Sequence, residues 1–204
     1  MFSHLHIFNK YIYIGYKDFG DPSTDQFIKE YIRQYIGHLV QHMQLITSNI
    51  LDILVQFWTP VTTLGRCFLA TSDHPYGVSY YSDELRTFRK LSLDYKIYVD
   101  TETEKERGLI ECAFMQKSIK LLPDVQSCSS KVCLRLLHAL CCNIQGFAAL
   151  PMLGPSGRDC IGVVELAFAF RNINPTYKSL TSKVCHNLEV FAYHLNLHIE
   201  FHFS

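Results

Sequence analysis

Apolar residues recur every four positions from Phe27 through Tyr31, Tyr35 and Leu39 to Met43, with Ile28, Ile32, Ile36 and Val40 beside them. One face of a helix repeats in this way. Ser23 with Gln26 three positions on has the spacing of a capping box, so the pattern predicts an amphipathic helix over residues 24–48. The β-rich runs 53–61 and 66–71, separated by Thr62-Thr63-Leu64-Gly65, then read as an antiparallel hairpin. Tyr95, Ile97 and Val99 alternate with Lys96 and Tyr98 as a half-buried strand, and the charge run 100–107 after it reads as a solvated loop. Helical spacing returns over 108–118 with Leu109, Cys112, Ala113 and Met115. Ser130 has the chemistry to cap a second short helix whose apolar face is Cys133, Leu134, Leu137, Leu140 and Cys141.

Two long apolar runs, 147–153 and 160–170, flank the turn Gly154-Pro155-Ser156-Gly157 and predict another hairpin. Asn174 as N-cap and Pro175 at the first helical position open a final helix, whose stripe is Leu180, Val184, Leu188, Phe191, Leu195 and Ile199. Strands between helices at both ends of the chain predict an α+β fold, an antiparallel sheet with the terminal helices packed on one face. Residues 1–22 close in the breaker cluster Asp18–Pro22 and read as an undefined leader, residues 23–200 as one domain, and 201–204 as a tail.

Composition narrows the function. With 48% hydrophobic and 19% charged residues, the 204-residue chain has the material for a buried core, which excludes wholesale disorder. Nineteen Lys and Arg against nineteen Asp and Glu leave no basic excess to displace counterions from a phosphate backbone, so autonomous DNA binding is not expected. The eight cysteines fall inside apolar patterns without a CxxC pair. They are expected to behave as small hydrophobes in a reducing compartment. No run of 18 apolar residues occurs, so no membrane span is expected.

Candidate chemistry is sparse. His194, His198 and His202 stand at i, i+4, i+8 after His186, a spacing zinc sites use, but HExxH is absent; His38 and His42 repeat the spacing without further ligands. Ser156 lies in a turn rather than at a nucleophile elbow, and neither GxGxxG nor GxxxxGK[ST] occurs. No catalytic residue, metal or cofactor is therefore expected. Two polar residues interrupt apolar runs. Glu165 shares a strand face with Ile161, Val163 and Ala167, while Val164, Leu166, Phe168 and Phe170 take the other; it is either a hydrogen-bond hub or part of a pocket wall. His138 interrupts the apolar helix 134–142 and reads as a core or helix-edge histidine.

Residues 135–170, RLLHALCCNIQGFAALPMLGPSGRDCIGVVELAFAF, resemble a segment of the plant NIN-like proteins in an ordered series: HAL, Asn143, Gly146, ALP, PSG and GVVEL. LVQFWTPV (54–61), GRCFLATSDHPY (65–76), FRKLSLDYKIYVD (88–100), PDVQSCSSK (123–131) and KVCHNLEVF (183–191) agree in the same register, so the resemblance spans roughly residues 24–192. It implies a GAF-like domain, with short helices on the second sheet face, from the N-terminal region of a nitrate-responsive transcription regulator found in nucleus and cytoplasm. The RWP-RK DNA-binding domain and the C-terminal pairing domain of that family are missing here. By the same resemblance, the HAL stretch puts His138 and Leu140 at a ligand site for a small anion, nitrate. A departure lies at 108–114, GLIECAF, where the family carries a further Gly and an Arg. The alternative is a decayed or truncated copy that acts only as a structural or protein-interaction module, partnering other domains.

Overall fold

In the computed structural model, residues 6–8, 12–15, 29–30, 32–39, 51–72, 74–79, 82–99, 107–128, 135–154, 159–170, 186 and 198–201 are described. In chain order the elements are β1 (His6–Phe8), β2 (Ile12–Gly15), α1 (32–39), β3 (Leu51–Thr63), β4 (Arg66–Ala70), β5 (Tyr76–Ser79), α2 (Asp83–Ser92) and β6 (Ile97–Tyr98). They continue with α3 (Leu109–Gln116), β7 (Ser118–Leu122), a 3-10 turn (Val125–Ser127), α4 (Leu136–Cys141), β8 (Gly146–Leu153), β9 (Cys160–Phe170) and β10 (His198–Phe201).

The sheet runs β1-β2-β5-β3-β9-β8-β7-β10, antiparallel except for the last pair, and β4 with β6 extends from the far half of β3. Side chains alternate across this sheet, and the alternation sorts the interior into two cores. Ile53, Val55 and Phe57 of β3 face the α1 residues Ile32, Ile36 and Leu39. Leu54 and Trp58 face the opposite way, beneath Leu85 and Phe88 of α2, Ile110 of α3 and Ala139 of α4. Each Leu, Ile or Phe so buried contributes about 1.5–3 kcal/mol. The α+β architecture therefore has a terminal helix on one face and short helices on the other.

Both predicted hairpins form, with β3–β4 closing more tightly than expected through Leu64 and Gly65, both at positive φ (51° and 74°). The expected strand at 95–99 is confined to β6. Four expectations change. Residues 6–8 and 12–15 of the leader form a hairpin that pairs through β2 onto β5. The short helix begins at Leu136 with Arg135 as its cap; Ser130 and Cys133 lie outside the described residues. Its expected apolar face points outward, with Leu137 77% and Leu140 41% exposed. Finally, Ile199 lies in β10, paired in parallel with Ile119, so the final helix does not reach it and His198 leaves the i, i+4 series. Most of the range predicted for that helix, with His194 and His202, is outside the described residues, as are His42 and residues 100–106 of the expected loop.

Candidate functional site

The site grows out of a single buried carboxylate. β9 presents Glu165 on the same face as Val163 and Ala167, as alternation required, and Glu165 is 1% exposed. Ile161 belongs to the other core instead, because a bulge opposite Met152 and Leu153 shifts the register there. Gly162 makes the bulge possible: a Cβ on it would collide with the Phe57 ring and the Trp58 carbonyl.

A buried carboxylate has to recover the hydrogen bonds it loses from water. Gln56 sits directly opposite Glu165 on β3, and its Nε2 donates to Glu165 Oε2 at 2.7 Å; the indole Nε1 of Trp58, one side chain further along the same face, donates to the same oxygen at 2.9 Å. The other oxygen accepts from Arg135 Nη2 in a buried ion pair. Arg135 Nη1 donates to Ser92 Oγ at 2.7 Å, while Ser92 Oγ in turn donates to the Phe88 carbonyl at 2.8 Å. On the far side Arg89 Nη1 donates to Gln56 Oε1 at 3.0 Å and to Thr71 Oγ1 at 2.5 Å. This network ties α2, the cap of α4 and the centre of the sheet together.

Aromatic rings wall the guanidinium. Its central carbon stands 4.9 Å from the Trp58 ring centroid and 4.8 Å from that of Phe88, with Phe147 and Tyr95 at 5.8 and 5.9 Å. Tyr95 joins this box to the predicted site, since its hydroxyl and His138 Nδ1 are hydrogen-bonded at 3.0 Å and the two rings meet edge to face. His138 is thus half-buried against α2's end. Leu140, two residues on along α4, stands on the exposed side, so the two predicted ligand residues do not share one wall.

Other parts of the sequence motif have structural reasons. Asn143 ends α4 at φ 52°, a left-handed conformation that Asn tolerates. Gly146 begins β8 against the Phe168 ring and the Leu122 carbonyl, where a Cβ would clash. Gln56, Ser92, Arg89 and Arg135 were not anticipated: their partners lie on distant segments, and no local periodicity marks them. Among the described residues no three His, Cys, Asp or Glu side chains gather as a metal site, and no helix is long and apolar enough to cross a membrane. Burial pushes the Cys142 thiol pKa up, helped by neighbouring Cys141 and Glu84.

No protein-family model matches the chain. It is 42% identical over 169 residues to Protein NLP7 of Arabidopsis thaliana, a match that covers 82% of this chain and 17% of the relative. Protein NLP6 of the same plant is 42% identical over 137 residues, covering 67% of the chain and 16% of the relative. Protein NLP3 of Oryza sativa subsp. japonica is 39% identical over 171 residues, with coverages of 83% and 17%. The chain thus spans about a sixth of the length of these relatives. Among solved structures, the GAF domain from Acinetobacter phosphoenolpyruvate-protein phosphotransferase aligns with 83% of this chain and 85% of its own at TM-score 0.37 and 10% identity. The type II free methionine-R-sulfoxide reductase from Thermoplasma acidophilum aligns with 85% and 99% at TM-score 0.37 and 15% identity.

Proposed function

The chain belongs with the NIN-like proteins (NLPs) of plants, and from that premise we propose that residues 23–200 are a GAF-like regulatory domain that senses a small anion, nitrate, beside His138. The observation that carries this reading is the Tyr95–His138 hydrogen bond set against the boxed Arg135. An anion such as nitrate offers only acceptors, so its site has to supply N–H or O–H donors and positive potential in a partly dehydrated corner. His138, the Tyr95 hydroxyl and the Arg135 guanidinium offer these together where α4 meets the end of α2. Leu140 serves by packing at the rim of α4 rather than by touching the anion.

In this reading the role is regulatory: the relatives are NLP proteins, and the corner offers N–H and O–H donors beside a carboxylate held by Gln56, Trp58 and Arg135. The chain then works in nucleus and cytoplasm as a sensing part, needing neither cofactor nor metal. Isothermal titration of nitrate against the full chain, His138→Ala and Leu140→Ala tests it. The expected result is saturable heat in the wild type, lost in His138→Ala and only weakened in Leu140→Ala; heat unchanged in His138→Ala would overturn the assignment.

The second reading, a module that acts only through structure or a protein partner, draws on the outward Leu137 and Leu140 of α4. It predicts no nitrate heat in any variant.

A further inference from the structure

Arg135 and Glu165 hold each other unequally. A guanidinium carries five N–H donors, and among the described residues Arg135 directs one from Nη1 to Ser92 and one from Nη2 to Glu165. Around it, Trp58, Phe88, Phe147 and Tyr95 present rings that attract the cation but return little of the hydrogen bonding that water gave it. Arg135 is nevertheless only 5% exposed. Glu165 is better provided, because Gln56 and Trp58 both donate to its second oxygen independently of Arg135. Loosening the pair therefore leaves the carboxylate with two neutral donors, while the guanidinium has donors to offer to another acceptor.

We propose that Arg135 is the charge-bearing group of the anion site and acts as a latch. A small monovalent anion entering past His138 and Tyr95 takes N–H groups of Arg135, weakens its pairing with Glu165, and so shifts the cap of α4 against the sheet. A single negative charge matches the guanidinium, whereas a divalent anion suffers a larger desolvation cost on entering the same buried corner. The inference rests on the sensing reading above and adds the residue that carries the charge and the route by which occupancy leaves the site.

Trp58 supplies the readout. It is the chain's single tryptophan, its Nε1 donates to Glu165, and its ring lies under Arg135. The fluorescence of the full chain is titrated with potassium nitrate, potassium sulfate at matched ionic strength serving as control, and calorimetry is run in parallel. The latch predicts a saturable change with nitrate and none with sulfate, abolished in Arg135→Gln. In Glu165→Gln, where the competing charge is gone, nitrate binds about threefold to tenfold tighter; unchanged or weaker affinity there overturns the latch. Should Glu165→Gln not fold, Arg135→Lys decides: it keeps the charge without the fork, so affinity falls, and unchanged affinity overturns the proposal. Nitrate heat that depends on His138 with a silent Trp58 overturns the latch and leaves the sensing reading standing. A saturable Trp58 change that survives His138→Ala but not Arg135→Gln supports the latch and overturns His138. Silence in both measurements overturns both.

Discussion

At the scale of single residues the molecule concentrates risk in one ion pair. Burying Glu165 and Arg135 strips both of hydration, and the pair is tolerable because Gln56 and Trp58 donate to the carboxylate while Ser92 accepts one guanidinium N–H. Removing one partner strands the other, so Arg135→Ala or Glu165→Ala is expected to lower stability by about 3–5 kcal/mol in urea denaturation. A loss no larger than a surface substitution gives would contradict the hub. The thiols differ in a related way. Burial raises the pKa of both Cys142 and Cys160, which keeps them as unreactive thiols to higher pH, whereas Cys141 is exposed. Iodoacetamide at pH 8, read by peptide mass spectrometry, is expected to label Cys141 ahead of both, with the gap narrowing as pH rises. Earlier labelling of Cys142 would contradict its burial.

At the scale of elements, what was legible depended on which face an element buries. The β3–β4 and β8–β9 hairpins announce themselves through apolar runs and turn residues, and both pair, the first over a tighter turn than expected and the second with a bulge. Helix α2 does not, because half of its buried side is Arg89 and Ser92, kept inside by the Gln56–Glu165 network rather than by hydrophobicity. The same network explains α4: turning Arg135 inward sends Leu137 and Leu140 outward, against the apolar stripe. Glu165 was visible as a buried carboxylate from strand alternation, but its donors are 30 to 109 residues away in sequence. Spacing carries no such information. Capping gives α2 a local test: Ser82 Oγ accepts from the Leu85 amide at 3.2 Å, so Ser82→Ala is expected to cost about 1 kcal/mol in chemical denaturation. No change would mean the cap is idle.

At the scale of the whole molecule, a sheet covered on both faces uses its two cores differently. The α1 face carries the apolar cluster of Ile53, Val55, Phe57 and their partners, whereas the α2–α4 face encloses the charged network. Binding is therefore expected on the second face. Zero formal charge argues that these 204 residues alone do not bind DNA, and a gel shift at physiological salt is expected to show no sequence-selective complex; a nanomolar one would contradict this. A small-anion site where α4 meets α2 is checked most directly by a nitrate titration of the 15N-labelled chain followed by two-dimensional NMR. Saturating shifts are expected in the single Trp58 indole N–H and in the amides of residues 135–144, with Val55 and Leu166 on the opposite core unmoved. Shifts no larger than a sulfate control gives, or shifts scattered evenly over both faces, would contradict it.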